Sequence, residues 1–543
     1  MSAVSPGGAL LLAMLLLPLV GAALVAPMRS APTAARVTGL VFALAELVLA
    51  ALAWSAYHPG GGRLELTLST PWIPAFGTRF ALGVDGIALV MLALISVLVP
   101  IVMGSSWAEK LPEGRTPAGF YALLLALEAL LVGVFAATDV FLFYLFFEVM
   151  LVPMYFLIGR FGGPRRQYAA VKFFLYSLLG GLVMLASVIG LFVVSAHQLG
   201  QGTFDWTALV RIAGSIPQST QIWLFLGFFI AFAIKAPLVP LHTWLPDAGA
   251  EAPVGAGVLL VGVMDKVGIY GFLRYCLPLF PSASRALAPL VLVLAVAGIL
   301  YGALLAVGQS DMKRFVAYTS VAHFGFIGLG VFAFSTQAQA GAVLYMVNHG
   351  ISTGMLFIVV GMLMARGGSS RLISDYGGVS ALAPLLAGMM LLAGLSLLSL
   401  PGTNSFVSEF MVLIGSYPRA PVYTILATTG MILAALYVLW FYQRLMQGPV
   451  RGAAVVGDLI AGSAGGALEG PGTAMAPDAA AQRQRIRFPD LSIREVVVLA
   501  PLVALILLLG LYPQPVLNVI NPSVGATLTE VGLSDPVVGQ GGS

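Results

Sequence analysis

Apolar stretches of about 18 residues or more recur from one end of this 543-residue chain to the other, and each is long enough for a helix to cross the hydrocarbon of a bilayer. No other feature constrains the fold as much. In hydrocarbon every backbone N–H and C=O must be paired within the protein, which leaves helices or a closed barrel. A barrel would alternate apolar and polar residues, and these stretches do not. Charged residues make up 9% of the chain, against about 25% in a soluble globular protein. The expected fold is an all-α polytopic membrane protein. The first apolar run, Leu10 to Val25, lacks the basic region of a secretory signal and reads as a first span. The single cysteine, Cys276, excludes a disulfide framework and a cysteine-ligated cluster. The net charge of +4 sits in short loops and does not suggest nucleic acid.

The pattern predicts 14 spanning helices, near residues 8–27, 36–57, 82–104, 117–137, 139–159, 169–195, 222–241, 253–275, 286–308, 312–333, 340–365, 384–413, 421–446 and 495–512. Residues 58–81 read as a polar loop with Pro71 and Pro74. Residues 447–493 read as a disordered Gly/Ala-rich insertion with a basic end at Arg483, Arg485 and Arg487. The chain then divides into N-terminal helices (1–115), a first five-helix unit (116–275), a second (286–446), the insertion (447–493) and a last span with its tail (494–543).

Basic residues test the helix count. Loops after odd-numbered spans carry Arg29, Arg36, Lys110, Arg115, Arg160, Arg165, Arg166, Lys172, Lys313, Arg314, Arg366, Arg371, Arg444, Arg451, Arg483, Arg485, Arg487 and Arg494. Loops after even-numbered spans carry only Arg63, Arg79, Arg211, Arg274, Arg285 and Arg419. The positive-inside rule puts the odd loops in the cytoplasm and both termini outside.

The seventh span departs from the apolar pattern. Its run begins at Ile222, holds Lys235, and meets Pro237 and Pro240 before His242-Thr243-Trp244-Leu245-Pro246-Asp247. A lysine inside a membrane helix costs about 2.5–3.5 kcal/mol on insertion scales. Prolines add to the cost by removing backbone donors. The twelfth span is interrupted in the same way, at Pro401-Gly402, and carries Glu409. Interrupted helices five spans apart run in opposite directions. That is the signature of two inverted repeats with an ion site between them.

Few other ionisable groups fall inside spans. Glu148 sits in Tyr144-Leu145-Phe146-Phe147-Glu148, too far from either helix end to snorkel. Lys235 is its natural counter-charge, and a buried lysine beside a carboxylate can switch charge state. Lys266 follows Asp265, which could neutralise it, although neighbours on a helix point about 100° apart. His323 and His349 lie among hydroxyl and amide groups that could hold water, and histidine relays protons near neutrality. Their spacing offers no metal site. Glu46 and Glu128 read more as bonds to neighbouring helices or subunits. Acids and bases spread over several spans suit a proton path. A sugar or amino-acid pocket would hold more Asn, Gln, Trp and Arg. A sodium site would not hold two lysines.

These residues carry a resemblance. Phe147-Glu148 through Leu151-Val152-Pro153-Met154-Tyr155, Lys235-Ala236-Pro237-Leu238, and Pro240-Leu241-His242-Thr243-Trp244-Leu245-Pro246-Asp247-Ala248 with Glu251-Ala252-Pro253 are its core. Lys266 with Tyr270-Gly271, Asp311-Met312-Lys313-Arg314, His323, Asn348-His349, Leu400-Pro401-Gly402, Glu409-Phe410 and Asp490-Leu491 with Arg494-Glu495 extend it. From about residue 80 to 515 the chain resembles the antiporter-like membrane subunits of proton-pumping NADH:quinone oxidoreductase, respiratory complex I. Glu409 favours the chain M group, since chains L and N and the cation/proton antiporter subunits typically carry lysine there. Gly249 stands where the family commonly has histidine, and Ser408 where it has glycine.

The resemblance implies a proton relay of Glu148, Lys235, Lys266, His323, His349 and Glu409. Glu148 would set the state of Lys235, Lys266 would be the central relay, and Glu409 would release outward. It implies a translocase subunit in a bacterial inner membrane, with no cofactor of its own, driven by quinone reduction elsewhere and partnered by sister membrane subunits. Two other readings are a subunit of a multi-subunit cation/proton antiporter or membrane-bound hydrogenase, and a stand-alone secondary solute carrier.

Overall fold

The structure, a computed structural model, describes residues 6–456 and 488–536. Most of the expected insertion 447–493, with Arg483, Arg485 and Arg487, lies outside the described residues. Two helices open the chain, α1 (Pro6–Val25) and α2 (Pro32–Ala56). A hairpin follows, β1 (Glu65–Ile73) with β2 (Thr78–Val84). Then come α3 (Gly86–Ser105), α4 (Pro117–Ala136), α5 (Val140–Val149), α6 (Leu151–Phe161), α7 (Arg166–Leu199), the short α8 (Trp206–Ala213), α9 (Gln218–Lys235) and α10 (Trp244–Glu251). The next span, α11, is Val254–Leu279. It is followed by α12 (Pro281–Val307), α13 (Met312–Phe332), α14 (Thr336–Arg366), α15 (Pro384–Leu397), α16 (Asn404–Ser416) and α17 (Pro421–Met446). The helices α18 (Ile493–Leu511) and α19 (Gln514–Glu530) close the described part.

Among the described residues 13 helical stretches are long and apolar enough to cross a membrane, counting α5 with α6 as one. The twelfth expected span is the exception, because it is two short halves, α15 and α16. Pro401 lies in the gap between them. So do Ser399 at φ 58° and Gly402 at φ 93°, both in left-handed conformation. Helices α11, α13 and α14 form the buried centre.

Three elements differ from the sequence expectation. Residues 58–81 are not a plain loop but contribute β1 and the start of β2, an antiparallel ribbon that pairs Thr70 with Phe80 and Ile73 with Thr78. A two-stranded ribbon has only edge strands, so it tolerates Pro71 within β1. After the last span the chain forms α19, whose buried residues Leu517, Ile520, Val524 and Leu528 recur at helical spacing. Arg274 is not in a loop; it is buried inside α11.

Two ion clusters tie the bundle together. At one end Asp85 accepts from Arg63 at 2.9 Å and Arg274 at 3.0 Å. Arg63 also bonds Glu530 of α19 at 2.7 Å. Both guanidiniums lie over the Trp206 ring, Arg274 at 4.0 Å. Burial pushes the Asp85 carboxyl up, but Arg274 and Arg63 outweigh it and hold it below the usual carboxylate range. The second cluster gathers on α10. Asp247 accepts from Lys172 at 2.7 Å and Arg314 at 2.6 Å, and Glu251 from Arg371 at 3.1 Å. Burial raises the Asp247 carboxyl, and the bonds from Lys172 and Arg314 bring it below its ordinary value. The two sets of basic residues separate just as the odd and even loops do in the sequence.

Asp85→Ala would leave Arg274 buried with no counter-charge. Losing one partner of a buried pair costs about 3–5 kcal/mol. Thermal unfolding of the purified variant should therefore begin well below that of the parent, with α19 the first helix to become accessible to protease.

Candidate functional site

The site is built on the interrupted helices. Lys235 is not in the middle of its helix; it is the last residue of α9. Pro237 has no N–H to give the Ala233 carbonyl, which instead accepts from Leu238 N at 2.9 Å. The Ile234 carbonyl, deprived of its usual donor, accepts from the Trp244 indole at 2.8 Å. The break is thus closed by the tryptophan ten residues on. A helix C-terminus is also the end that favours a cation. The Lys235 ammonium is buried and has no hydrogen-bond partner. It lies 5.2 Å from the Phe147 ring centroid and 5.4 Å from that of Phe173.

Phe147 precedes Glu148 on α5, whose start is fixed by the Asp139 side chain accepting from Phe141 N and Leu142 N at 3.0 Å. Glu148 is half-buried, and its Oε1 has no hydrogen-bond partner. Its carboxylate fills the space that a side chain at Gly181 of α7 would need: a Cβ there would lie 1.4 Å from Oε1. The adjacent Gly180 lets α7 close on Ala231 and Ile234 of α9. Paired glycines therefore seat the carboxylate on one side and the lysine-bearing helix on the other. Glu148 and Lys235 make no ion pair, yet each lies within the other's field. The Asp265 carboxylate also reaches Lys235.

Lys266 follows a π-helical turn, Leu260–Met264. Such turns concentrate at functional sites. Its ammonium bends back to donate to the Val261 carbonyl. It also sits 3.0 Å from Asp265 Oδ1, so adjacent residues do pair here. The lysine's length and the widened turn overcome the angle between them. A third contact joins Lys266 Nζ to His349 Nδ1 at 2.7 Å. An ammonium can only donate, so His349 accepts at Nδ1 and carries its proton on Nε2.

From His349 the groups continue to His323 and Tyr345 through ring packing and not through hydrogen bonds. Its ring centroid is 5.3 Å from that of His323. His323 Nε2 is 3.3 Å from the Tyr437 hydroxyl, and its ring packs 5.8 Å from Tyr345. The Tyr345 hydroxyl donates to Glu409 Oε2 at 2.9 Å. Ser399, the strained residue of the α15–α16 gap, donates to the same oxygen. Beside them Asn348 donates to the Asn404 carbonyl at 2.7 Å and to Ser408 at 3.1 Å, and Ser352 bridges to Ser396 at 2.6 Å. Ser408, unusual for the resembled family, is thus part of a buried hydroxyl and amide network.

The structure brings Lys266, His349 and His323 into contact and joins Glu409 to them through Tyr345, while Asp265 lies between the fields of Lys266 and Lys235. Pro237, Pro240 and Pro401 all fall in the helix gaps. Glu46 and Glu128 lie apart. Sequence reasoning passed over Tyr345, Tyr437, Ser399 and Gly181. Tyr345 had a signal, since it stands four residues before His349 on the same helix face. Tyr437 had none. Among the described residues no group of three or more His, Cys, Asp or Glu is placed to hold a metal.

Residues 137–435 match the family described as NADH:quinone oxidoreductase/Mrp antiporter, TM. The chain is 44% identical to NADH-quinone oxidoreductase subunit M of Mycobacterium tuberculosis (strain ATCC 25618 / H37Rv), over 92% of this chain and 90% of that one. It is 39% identical to the Escherichia coli (strain K12) subunit M, over 84% of each. A chain of respiratory complex I from Thermus thermophilus with bound NADH superposes with a TM-score of 0.81 at 31% identity, covering 96% of this chain and 100% of that one. A chain of the Mrp complex from Dietzia sp. DQ12-45-1b has the same fold, with a TM-score of 0.80 at 22% identity over 97% and 99% of the two. The interrupted helices, the lysine and the glutamate they carry and these likenesses agree: the chain belongs to the NADH:quinone oxidoreductase/Mrp antiporter family of membrane subunits.

Proposed function

We propose that this chain is a proton-translocating subunit of NADH:quinone oxidoreductase, set among other membrane subunits including sister antiporter-like chains, in a bacterial inner membrane with both termini outside. It carries no cofactor, and quinone reduction elsewhere in the complex drives it. The observation that supports this best is the buried run from Lys266 through His349, His323 and Tyr345 to Glu409. Each of its members can give or take a proton, and all of them are buried.

Glu148 acts as the receiver. It is half-buried, so a charge change in a neighbouring subunit reaches it. Lys235 has no hydrogen bond to hold its proton in place, so the field of Glu148 decides whether it keeps that proton. Asp265, within reach of both lysines, favours the charged form of whichever is protonated. Transfer from Lys235 to Lys266 needs water, and the α9–α10 gap supplies polar backbone to hold it. His349 and His323 then pass the proton towards Glu409. Beyond Glu409 on α16, a cavity of about 460 Å³ lined by Ser335, Thr336, Met411, Gly415, Asn521 and Asp535 offers an exit. The work done is about 2.3 kcal/mol per charge per 100 mV.

In membrane vesicles, Lys235→Ala and Glu148→Ala should each lower NADH-driven proton uptake about tenfold or more, equivalent to a barrier raised by about 1.4 kcal/mol or more. Near-normal pumping in both would sink the relay. Gly181→Ala removes no charge, yet its methyl group must displace the Glu148 carboxylate. Pumping in that variant should fall towards the Glu148→Ala level, whereas alanine at the exposed, similarly helical Gly388 should change nothing.

A further inference from the structure

A second pair of buried acids lies outside the relay. Gly39 of α2 packs against Tyr121 of α4, where an added Cβ would be 2.9 Å from the ring. Glu46 and Glu128 each lie seven residues further along the same two helices. Seven residues is about two turns, so in helices running side by side in the same direction this spacing brings the second pair face to face. Glu46 is the one charged group whose field reaches Glu128. Both side chains have 0% exposure, and none of their four carboxyl oxygens has a hydrogen-bond partner. Both stand near the middle of their helices.

Among the described residues no cation bonds to either carboxyl. Helices α1 and α3, which also pack on α2, contain no ionisable side chain, and Arg36 of α2 itself lies over the Trp107 ring. On α4 itself Tyr121 donates to the Met103 carbonyl at 2.7 Å. On α11 Tyr270 donates to the Phe135 carbonyl at 2.8 Å. None of Tyr144 and Glu148 of α5, Tyr155 and Arg160 of α6, or Asp265 and Lys266 of α11 hydrogen-bonds to either carboxyl. A neighbouring subunit cannot supply a counter-charge either, because this chain already covers both groups. Two ionised carboxylates cannot share such a place, and even one is costly without a partner.

We propose that Glu46 and Glu128 form a proton-binding carboxyl pair at mid-membrane, separate from the relay. The bound species is the proton, and the pair keeps it at neutral pH. This inference is independent of the transport path above.

The test is infrared spectroscopy of the intact complex at neutral pH, with the parent chain, Glu46→Gln or Glu128→Gln. Each substitution should remove intensity from the deuterium-sensitive carbonyl band of protonated carboxyls. Loss from the ionised-carboxylate bands instead would overturn the proposal. Since a single variant can fail to assemble, the double variant Glu46→Leu with Glu128→Leu removes both groups together. It should assemble, pump at the parent rate and lack the share of the band that the single variants remove. A second measurement uses an apolar carbodiimide on membranes. The acid O–H adds across a C=N bond of the reagent and the acyl group migrates to nitrogen, so no other reactant is needed. Mass spectrometry should find the adduct on Glu46 or Glu128, with and without sodium ions. Protection by sodium would indicate a cation site and overturn the proton reading, as would the absence of both band loss and adduct.

Discussion

The cost of placing charge in hydrocarbon governs this molecule. It gathers Arg63 and Arg274 around Asp85 at one end of the bundle, and Lys172, Arg314 and Arg371 around Asp247 and Glu251 at the other. It also explains why the charges that stay inside are found where helices break. Lys235 ends α9, Lys266 follows a π-helical turn, and Glu409 is held by Ser399 from the gap between α15 and α16. A continuous helix uses up its own carbonyls and amides. An interrupted one frees them, and these freed groups and the side chains beside them are what can stabilise a charge where bulk water cannot reach.

The charges inside are held to different degrees. Lys266 has three partners: the Val261 carbonyl, Asp265 and His349. Lys235 has none, only two aromatic faces and the fields of two carboxylates. A well-satisfied charge is a resting place; a poorly satisfied one is easily moved. The asymmetry between the two lysines gives the proposed path a loose end near Glu148 and a tight centre. The Gly180-Gly181 pair sets how close Glu148 comes, so a backbone without side chains tunes the loose end.

Much of this could be read from the chain. Apolar runs gave the spans, and the breaks at Pro237 and Pro401 fell where they were expected. Ionisable residues inside spans are so few that Glu148, Lys235, Lys266, His323, His349 and Glu409 stood out at once. What could not be read was what local composition hides. Tyr345 and Tyr437 look like ordinary apolar packing until a histidine is seen beside them. Ser399 carries meaning only through its left-handed backbone and its bond to Glu409. The ribbon of residues 65–84 and helix α19 are too short or too one-sided to register as spans, and the polar loop reading swallowed the ribbon.

The two groups of buried acids also show why position alone does not define a relay. Glu46 and Glu128 are as deeply buried as Lys266 and far more so than Glu148. Yet the helices around them run on through Pro18 and Pro100 without a gap, and among the described residues neither carboxyl has a hydroxyl, amide or base to bond. A proton there has no neighbour to go to. Glu148 is more exposed, but beside it lie a loosely held lysine, an interrupted helix and a carboxylate that bears on the next lysine. In the relay proposed above, what sets Glu148 apart from Glu46 and Glu128 is the backbone around it, with the helix gap at Pro237 and Pro240 beside its lysine partner.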